Sequence, residues 1–427
     1  MHLVYQAFEG VGEMIRGISE AVFTQALASA GNFAVSVLIL RVLPLENFGV
    51  YAYLYLIASF ASSVCWSISG YVYSLNVTRL RLIRQGYSDQ FNGFSALVLS
   101  AVVILTVAGV SQLDEISSHI GLSAIVLFTI SNIATDSLKL QAISDGRSAL
   151  VLKIEALRQA VLLVSIAAAI AAGSANLSTI VLISGLVGAG ACGLIVLAMG
   201  WRARFSRLAW VARRHAAVAR YLLPSMLISL FHGSAIQMFA ASSFGPVGMG
   251  TLRAAELPFS AVNPLKMSLN YFLPRLFADL EREAGPGHGA MLLRAGLAIA
   301  AVLAVGMALI WTGAILLFPT VTGKEYPSGL GAVWAVAYIA SILLTLVNHY
   351  LNVLGRSDSV FRQSILGAVV AIGVYFATYT WLGVIAAVLS ITLSFVAMTV
   401  YGIVKLAALL GRPISAPVVK AEVSRIG

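Results

Sequence analysis

Apolar runs long enough to cross a bilayer follow one another along almost the whole chain, and nothing else constrains its fold as strongly. A spanning helix needs about 20 mainly apolar residues. Such runs fall at 20–43, 48–77, 93–111, 119–138, 148–172, 178–200, 221–243, 247–273, 290–319, 328–354, 360–379 and 382–410. Inside lipid the backbone must satisfy its own N–H and C=O groups, so each run is expected to be a helix. Composition agrees. Only 10% of the 427 residues are charged, against roughly 25% in soluble domains. The expected fold class is an all-α polytopic membrane protein of about twelve spans. A soluble enzyme, a secreted disulfide scaffold and a disordered chain are excluded. Cys65 and Cys192 lie inside apolar runs and read as small buried hydrophobes.

The net charge of +10 is distributed unevenly. With the N-terminus inside, alternate gaps face the cytoplasm, and the inner face collects 20 of the 27 Lys and Arg residues. The outer face receives Arg41 and Lys324 alone. That asymmetry follows the positive-inside rule and places both termini in the cytoplasm. It also accounts for the basic pI without nucleic acid as a partner. The most basic stretch, 201–220, holds Arg202, Arg204, Arg207, Arg213, Arg214 and Arg220 with no acid. It divides the chain into an amphipathic N-terminus (1–19), an N-lobe of six spans (20–200), the linker (201–220), a C-lobe of six spans (221–410) and a tail (411–427). A weak internal echo sets Glu46-Asn47-Phe48-Gly49-Val50-Tyr51 against Gly245-Pro246-Val247-Gly248-Met249-Gly250, with Gly49 opposite Gly248. Read as a parallel duplication, it predicts two six-helix bundles around a central cavity. The outer gaps are too short for an extramembrane catalytic domain. No Gly-rich nucleotide loop or metal-ligand cluster stands out, so neither a cofactor nor an enzymatic role is expected.

The segment from Gln25 to Phe33, followed by Leu40-Arg41-Val42-Leu43-Pro44-Leu45-Glu46-Asn47-Phe48-Gly49, resembles the start of the polysaccharide transporters. These are Wzx-like flippases of the MOP exporter superfamily, which carry an Arg-x-Leu-Gly-x-x-x-Phe/Tyr-Gly pattern; Pro44 stands here in place of its first Gly. Arg253-Ala-Ala-Glu256-Leu-Pro258 and Phe272-Leu273-Pro274-Arg275-Leu276 resemble the eighth span of the same family. The resemblance implies a MOP-type fold in a bacterial inner membrane. It implies alternating access, flipping a polyprenyl-diphosphate-linked oligosaccharide to the outer leaflet for O-antigen or exopolysaccharide assembly. The partners it implies are that lipid-linked glycan, membrane lipids, and polysaccharide polymerase and ligase machinery. Two rivals stay open: a cation-coupled drug or small-molecule antiporter of the same superfamily, and a non-transporting scaffold of the polysaccharide machinery.

A charge at midspan costs at least about 2.5 kcal/mol and faces the bundle interior or a wet cavity. Lys153, Glu155 and Arg158 lie in the fifth run, and Arg253, Glu256 and Lys266 in the eighth. Arg158 and Lys266, one from each half, are candidates for the substrate diphosphate, with Arg253 and Arg41 as later contacts. Arg offers a bidentate fork and Lys a mobile point charge. The competing reading is internal pairing, because Glu155 with Arg158 and Arg253 with Glu256 are spaced i,i+3. Glu155, Glu256 and His232 are candidates for coupling or charge pairing. Pro224, Pro258 and Pro264 are candidate hinges, since each removes a helical hydrogen bond. Asn32, Asn132, Gln237, Asn348 and Asn352 are polar groups for the cavity or for helix contacts. Tyr51, Tyr53, Tyr55, Tyr71 and Tyr73 are rings for sugar stacking or for the interface.

Overall fold

A computed structural model of the protein describes residues 2–70, 72–73, 84–264, 266, 288–354 and 356–410. The Pro274-Arg275-Leu276 element, Tyr71 and the tail 411–427 lie outside them. Among the described residues the chain is helical, without strands. The N-terminal half comprises α1 (His2–Val42), α2 (Leu45–Cys65) with a π-helical turn (Trp66–Gly70), α3 (Arg84–Val110), α4 (Leu122–Ser144), α5 (Ser148–Ala171) and α6 (Leu177–Met199). The C-terminal half comprises α7 (Leu208–Phe231), α8 (Ser234–Glu256) with a 3-10 turn (Leu257–Val262), α9 (His288–Thr322), α10 (Ser328–Val353), α11 (Ser357–Leu382) and α12 (Ile385–Leu410).

Nine of these segments are long and apolar enough to cross a membrane. The helices outside that set are α4, α7 and α8. They carry Asp136 and Lys139, the Arg-rich linker end, and Arg253 with Glu256. Charge lowers their mean hydropathy, and charge inside a span marks function or pairing.

Three local features depart from a simple row of rods. First, α1 runs unbroken over 41 residues, about 60 Å at 1.5 Å per residue. The N-terminal stretch thus continues the first span and does not turn aside as a separate surface helix. Second, α8 holds a tight turn at Gly245, whose φ of +66° favours a residue without Cβ. This turn falls in the short gap read from sequence between the seventh and eighth runs. The seventh run therefore comprises the later part of α7, a break at Gly233 (φ −143°, ψ −92°), and 234–244. Third, the eighth run changes at Leu257 from α to 3-10 geometry. Pro258 lies in the first turn of that segment and has no N–H to donate.

The basic linker is docked on the N-terminal half. Arg204 N–H donates to the Asp89 carbonyl at 2.8 Å, and its guanidinium Nε lies 3.2 Å from the Asp89 carboxylate. The Gln90 amide donates to Ser206 Oγ and accepts from Arg207 N–H, at 2.9 and 3.0 Å. Asn92 donates to the Arg202 carbonyl at 3.1 Å. The start of α7 continues this docking through buried His215, which meets Tyr87 Oη at 2.9 Å and the Ile68 carbonyl at 3.1 Å.

At the opposite end the two halves touch backbone to backbone. A Cβ on Gly49 of α2 would lie 1.7 Å from the Pro246 carbonyl oxygen, and one on Gly250 of α8 would lie 2.5 Å from that of Leu45. Each glycine faces the carbonyl four residues before the other, so the contact is two-fold in pattern. It pairs Gly49 with Gly250, two positions beyond the pairing suggested by the sequence echo. Where lipid supplies no hydrophobic drive between helices, small residues let backbones pack closely. Lys324, after α9, donates to the carbonyls of Leu40 and Leu43, the latter at 2.6 Å, and so caps the end of α1. One apolar cluster spans both halves here, joining Ile39, Phe48 and Tyr51 to Leu257, Phe318 and Tyr326.

Candidate functional site

Below that closed end, two adjoining cavities of about 390 and 300 Å³ lie between the halves. The larger is bounded by α1 and α2 on one side, through Asn32, Tyr51 and Tyr55, and by the 3-10 region on the other, through Ser260 and Asn263. The smaller reaches into the C-terminal half, to Gln237, Trp334, Tyr338 and Phe395. Tyr55, Arg253, Glu256, Asn263 and Lys266 line both. Glu256 is ten residues past Pro246, about 15 Å below the turn, which puts this shared wall near mid-membrane. Both helix interruptions border the smaller cavity: Gly233 lines it, and Asn263 follows the 3-10 turn. Interrupted helices around a midplane cavity are the usual construction of a transport site.

The charges in the wall are arranged unequally. Arg253 Nη1 meets Glu256 Oε2 at 2.6 Å, so this i,i+3 pair neutralises itself. Tyr338 Oη adds a hydrogen bond to Glu256 Oε1 at 3.4 Å. Lys266 is held differently. Its ammonium donates to Ser341 Oγ and stands 5.9 Å from the Phe395 ring centroid. It forms no ion pair among the described residues. The shared wall therefore holds Arg253 and Lys266 against one carboxylate. On the α1–α2 side, Asn32 donates to Tyr55 Oη at 3.2 Å, and Tyr51 stacks on Tyr55 at 6.4 Å.

Arg158 occupies another place. It lines neither cavity. Its guanidinium bonds Glu155 Oε1 at 2.7 Å, Lys139 reaches Glu155 Oε2 at 2.6 Å, and Gln159 donates to Oε1 at 2.7 Å. Glu155 is 1% exposed. This is the internal pairing weighed from sequence, with a second cation added. Lys139 escaped notice because the apolar run ends near 138, whereas α4 continues to Ser144 and carries Lys139 inward. Asp136, one turn earlier, accepts from Ser62 Oγ of α2 at 2.9 Å.

The remaining candidates scatter. Arg41 is exposed in the last turn of α1, where a cation complements the helix dipole. Lys153 is exposed on α5. His232 sits at the Gly233 break with its ring 5.7 Å from Phe395, and its Nδ1 is buried without a hydrogen-bond partner among the described residues. Pro224 lies inside α7, which runs on through it to Phe231; the break falls at Gly233 instead. Pro258 opens the 3-10 turn, and Pro264 lies two residues beyond its end. Asn132 bonds back to the Phe128 carbonyl of its own helix, and Asn352 accepts from Ser357. Ser341 and Phe395, which hold Lys266, gave no sequence signal, being ordinary members of apolar runs.

The fold is similar to that of solved MOP-superfamily transporters. The chain is similar to an inward-facing structure of a multidrug resistance MATE family transporter of that superfamily. The match has a TM-score of 0.67 at 11% identity and covers 92% of this chain and 100% of the other. An outward-facing structure of a multidrug resistance MATE family transporter gives 0.58 at 12% identity, covering 93% and 95%. A MOP-superfamily transporter from Pyrococcus furiosus, described as having a binding pocket of reverse polarity that suggests a different function, gives 0.57 at 10%, covering 94% and 96%. No protein-family model and no curated protein matches the chain. At these identities the likeness establishes the fold alone: a multi-pass, all-helical membrane architecture shared with those transporters.

Proposed function

We propose that this protein is a secondary-active flippase that carries a polyprenyl-diphosphate-linked oligosaccharide across the membrane by alternating access. The observation that supports it is the ammonium of Lys266, held by Ser341 and Phe395 in the wall shared by both cavities, without a carboxylate bound to it among the described residues. A cation in a polar, partly desolvated cavity favours an anion, and a diphosphate supplies one. Arg253, neutralised by Glu256 in this state, becomes a second donor if the pair opens. The prenyl chain stays in lipid while the polar head crosses through the cavities. With the basic linker in the cytoplasm, the glycine contact and the Lys324 cap seal the outer side, which makes this the loading state. The higher similarity to the inward-facing MATE structure agrees with that reading.

The antiporter reading would use Glu256 as the carboxylate for a cationic drug. Its 2.6 Å bond to Arg253 leaves it a poor cation acceptor in this state. The scaffold reading has no use for a midplane lysine.

The test is depletion in host cells, with mass spectrometry of polyprenyl-diphosphate glycans and a leaflet assay in vesicles. Accumulation on the cytoplasmic leaflet, reversed by the wild type, is expected. Lys266→Gln should lower flipping by about tenfold or more, equivalent to ~1.4 kcal/mol of lost interaction, with unchanged membrane levels, and Lys266→Arg should restore part of it. Unchanged glycan lipids together with raised drug sensitivity would replace the flippase with the antiporter.

A further inference from the structure

The smaller cavity differs in chemistry from the diphosphate wall it adjoins. Trp334 and Tyr338 form one side, and both rings are fixed. Trp334 Nε1 donates to the Leu252 carbonyl at 3.3 Å, Tyr338 Oη is tied to Glu256, and the rings meet edge to face at 6.1 Å. Gln237, in the first turn after the Gly233 break, also lines this cavity. It is 6% exposed, and its Oε1 is buried with no hydrogen-bond partner among the described residues. A buried amide oxygen left unpaired is unfavourable, and buried polar atoms in native proteins are almost always satisfied. This one is positioned to accept from a hydroxyl or N–H that enters the cavity. Among the described lining residues the only carboxylate, Glu256, is already bonded to Arg253. Immobile rings beside an unpaired acceptor suit a neutral, hydroxyl-rich ring. Its C–H face packs on the aromatic wall, and a hydroxyl donates to the amide.

We propose that this cavity is a sugar subsite, which receives the first sugar of the glycan while Lys266 holds the adjoining diphosphate. The assignment rests on the flippase reading above and adds to it a place where substrates are told apart. A site built to hydrogen-bond a hydroxyl rejects a ligand lacking it far more strongly than an apolar pocket rejects a size change.

The experiment measures binding of four probes to the purified full-length protein in detergent, by native mass spectrometry. The probes are a polyprenyl diphosphate alone and the same lipid carrying a single glucose, galactose or N-acetylglucosamine. At least one sugar-bearing probe is expected to bind about tenfold tighter than the bare lipid. Gln237→Leu should remove that gain and leave the bare-lipid affinity in place, and Gln237→Asn should keep part of it. Lys266→Gln should weaken all four. Equal binding of bare and sugar-bearing lipids by the wild type overturns the subsite, and this comparison needs no variant to fold. So does a Gln237→Leu effect of the same size on every probe. Failure of the wild type to bind even the bare lipid, or indifference to Lys266→Gln, overturns instead the flippase reading on which the subsite depends.

Discussion

Glu155 shows how a midspan charge can be structural. Two cations and an amide converge on a carboxylate that is 1% exposed. Removing one partner of such a set leaves buried charge uncompensated, at roughly 3–5 kcal/mol. Glu155→Gln should therefore lower the thermal midpoint of the detergent-solubilised protein clearly, because Lys139 and Arg158 lose their shared acceptor. Arg158→Gln should do less, since Lys139 continues to neutralise the acid. Size-exclusion fluorescence across a temperature series reads the difference, and equal effects would remove Glu155 from the centre of the cluster. Arg253, Glu256 and Lys266 were legible in the sequence as charges at membrane depth. The difference between Lys266 and Arg158 was not. It depends on Lys139, brought in by another helix, and on Ser341 and Phe395, whose roles arise only through packing.

Helix α7 carries a different lesson. The basic stretch 201–220 reads in sequence as a loop between lobes, because Arg-rich segments without acids are usually solvated. Its backbone is instead held by Asp89, Gln90 and Asn92 of α3. The start of α7 is sealed by His215, which is 1% exposed between Tyr87, Phe91 and Phe94. Burial, chiefly, pushes the His215 pKa down to about 4; nearby Arg214 adds to this, and the hydrogen bond to the Ile68 carbonyl opposes it. The folded form thus prefers neutral imidazole, while the unfolded chain takes up its proton near pH 6.5. The stabilisation is complete above about pH 6.5 and is lost as pH falls towards about 4, a loss on the order of 3 kcal/mol. The thermal midpoint should fall across that window, and His215→Gln should flatten the fall. Parallel curves for the two proteins would show that His215 does not drive it. The existence of most helices was readable, because apolar length is a strong signal, but several start well before their apolar runs, α1 at His2, α3 at Arg84 and α7 at Leu208, where polar and charged residues continue the helix. The break at Gly233 was missed, since the apolar pattern passes through it and glycine, unlike proline, does not announce a break.

At the scale of the molecule, the two halves meet at the glycine crossing and again where the start of α7 docks on α3, and cavities lie between them. The reading of six spans and six rests on the spacing of the runs and on the basic stretch between them. The closed end was only hinted at, because the glycines that form it contact carbonyls 200 residues away in sequence, and no local pattern specifies that. Gly49→Val should keep α2 and α8 apart, since even a Cβ there would overlap the Pro246 carbonyl. The expected result is a cysteine placed at Phe48, which is 2% exposed in this state, that becomes reactive towards an impermeant maleimide added at that face. Flipping should fall while membrane levels hold. A cysteine that stays protected in the valine background would show that this contact does not hold the end shut.

The Gly49–Gly250 crossing also has a mechanical meaning. A close backbone contact near one end of two long bodies acts as a fulcrum. Rotation of about 10° around it moves points some 30 Å away, the thickness of the hydrocarbon core, by roughly 5 Å. Separation at the basic end, once His215 leaves Tyr87 and Ile68, can therefore exceed the width of a side chain while the glycines barely slide. Under the flippase proposal, the size of the cargo is then limited by the length of the lever rather than by the volume of either cavity at rest.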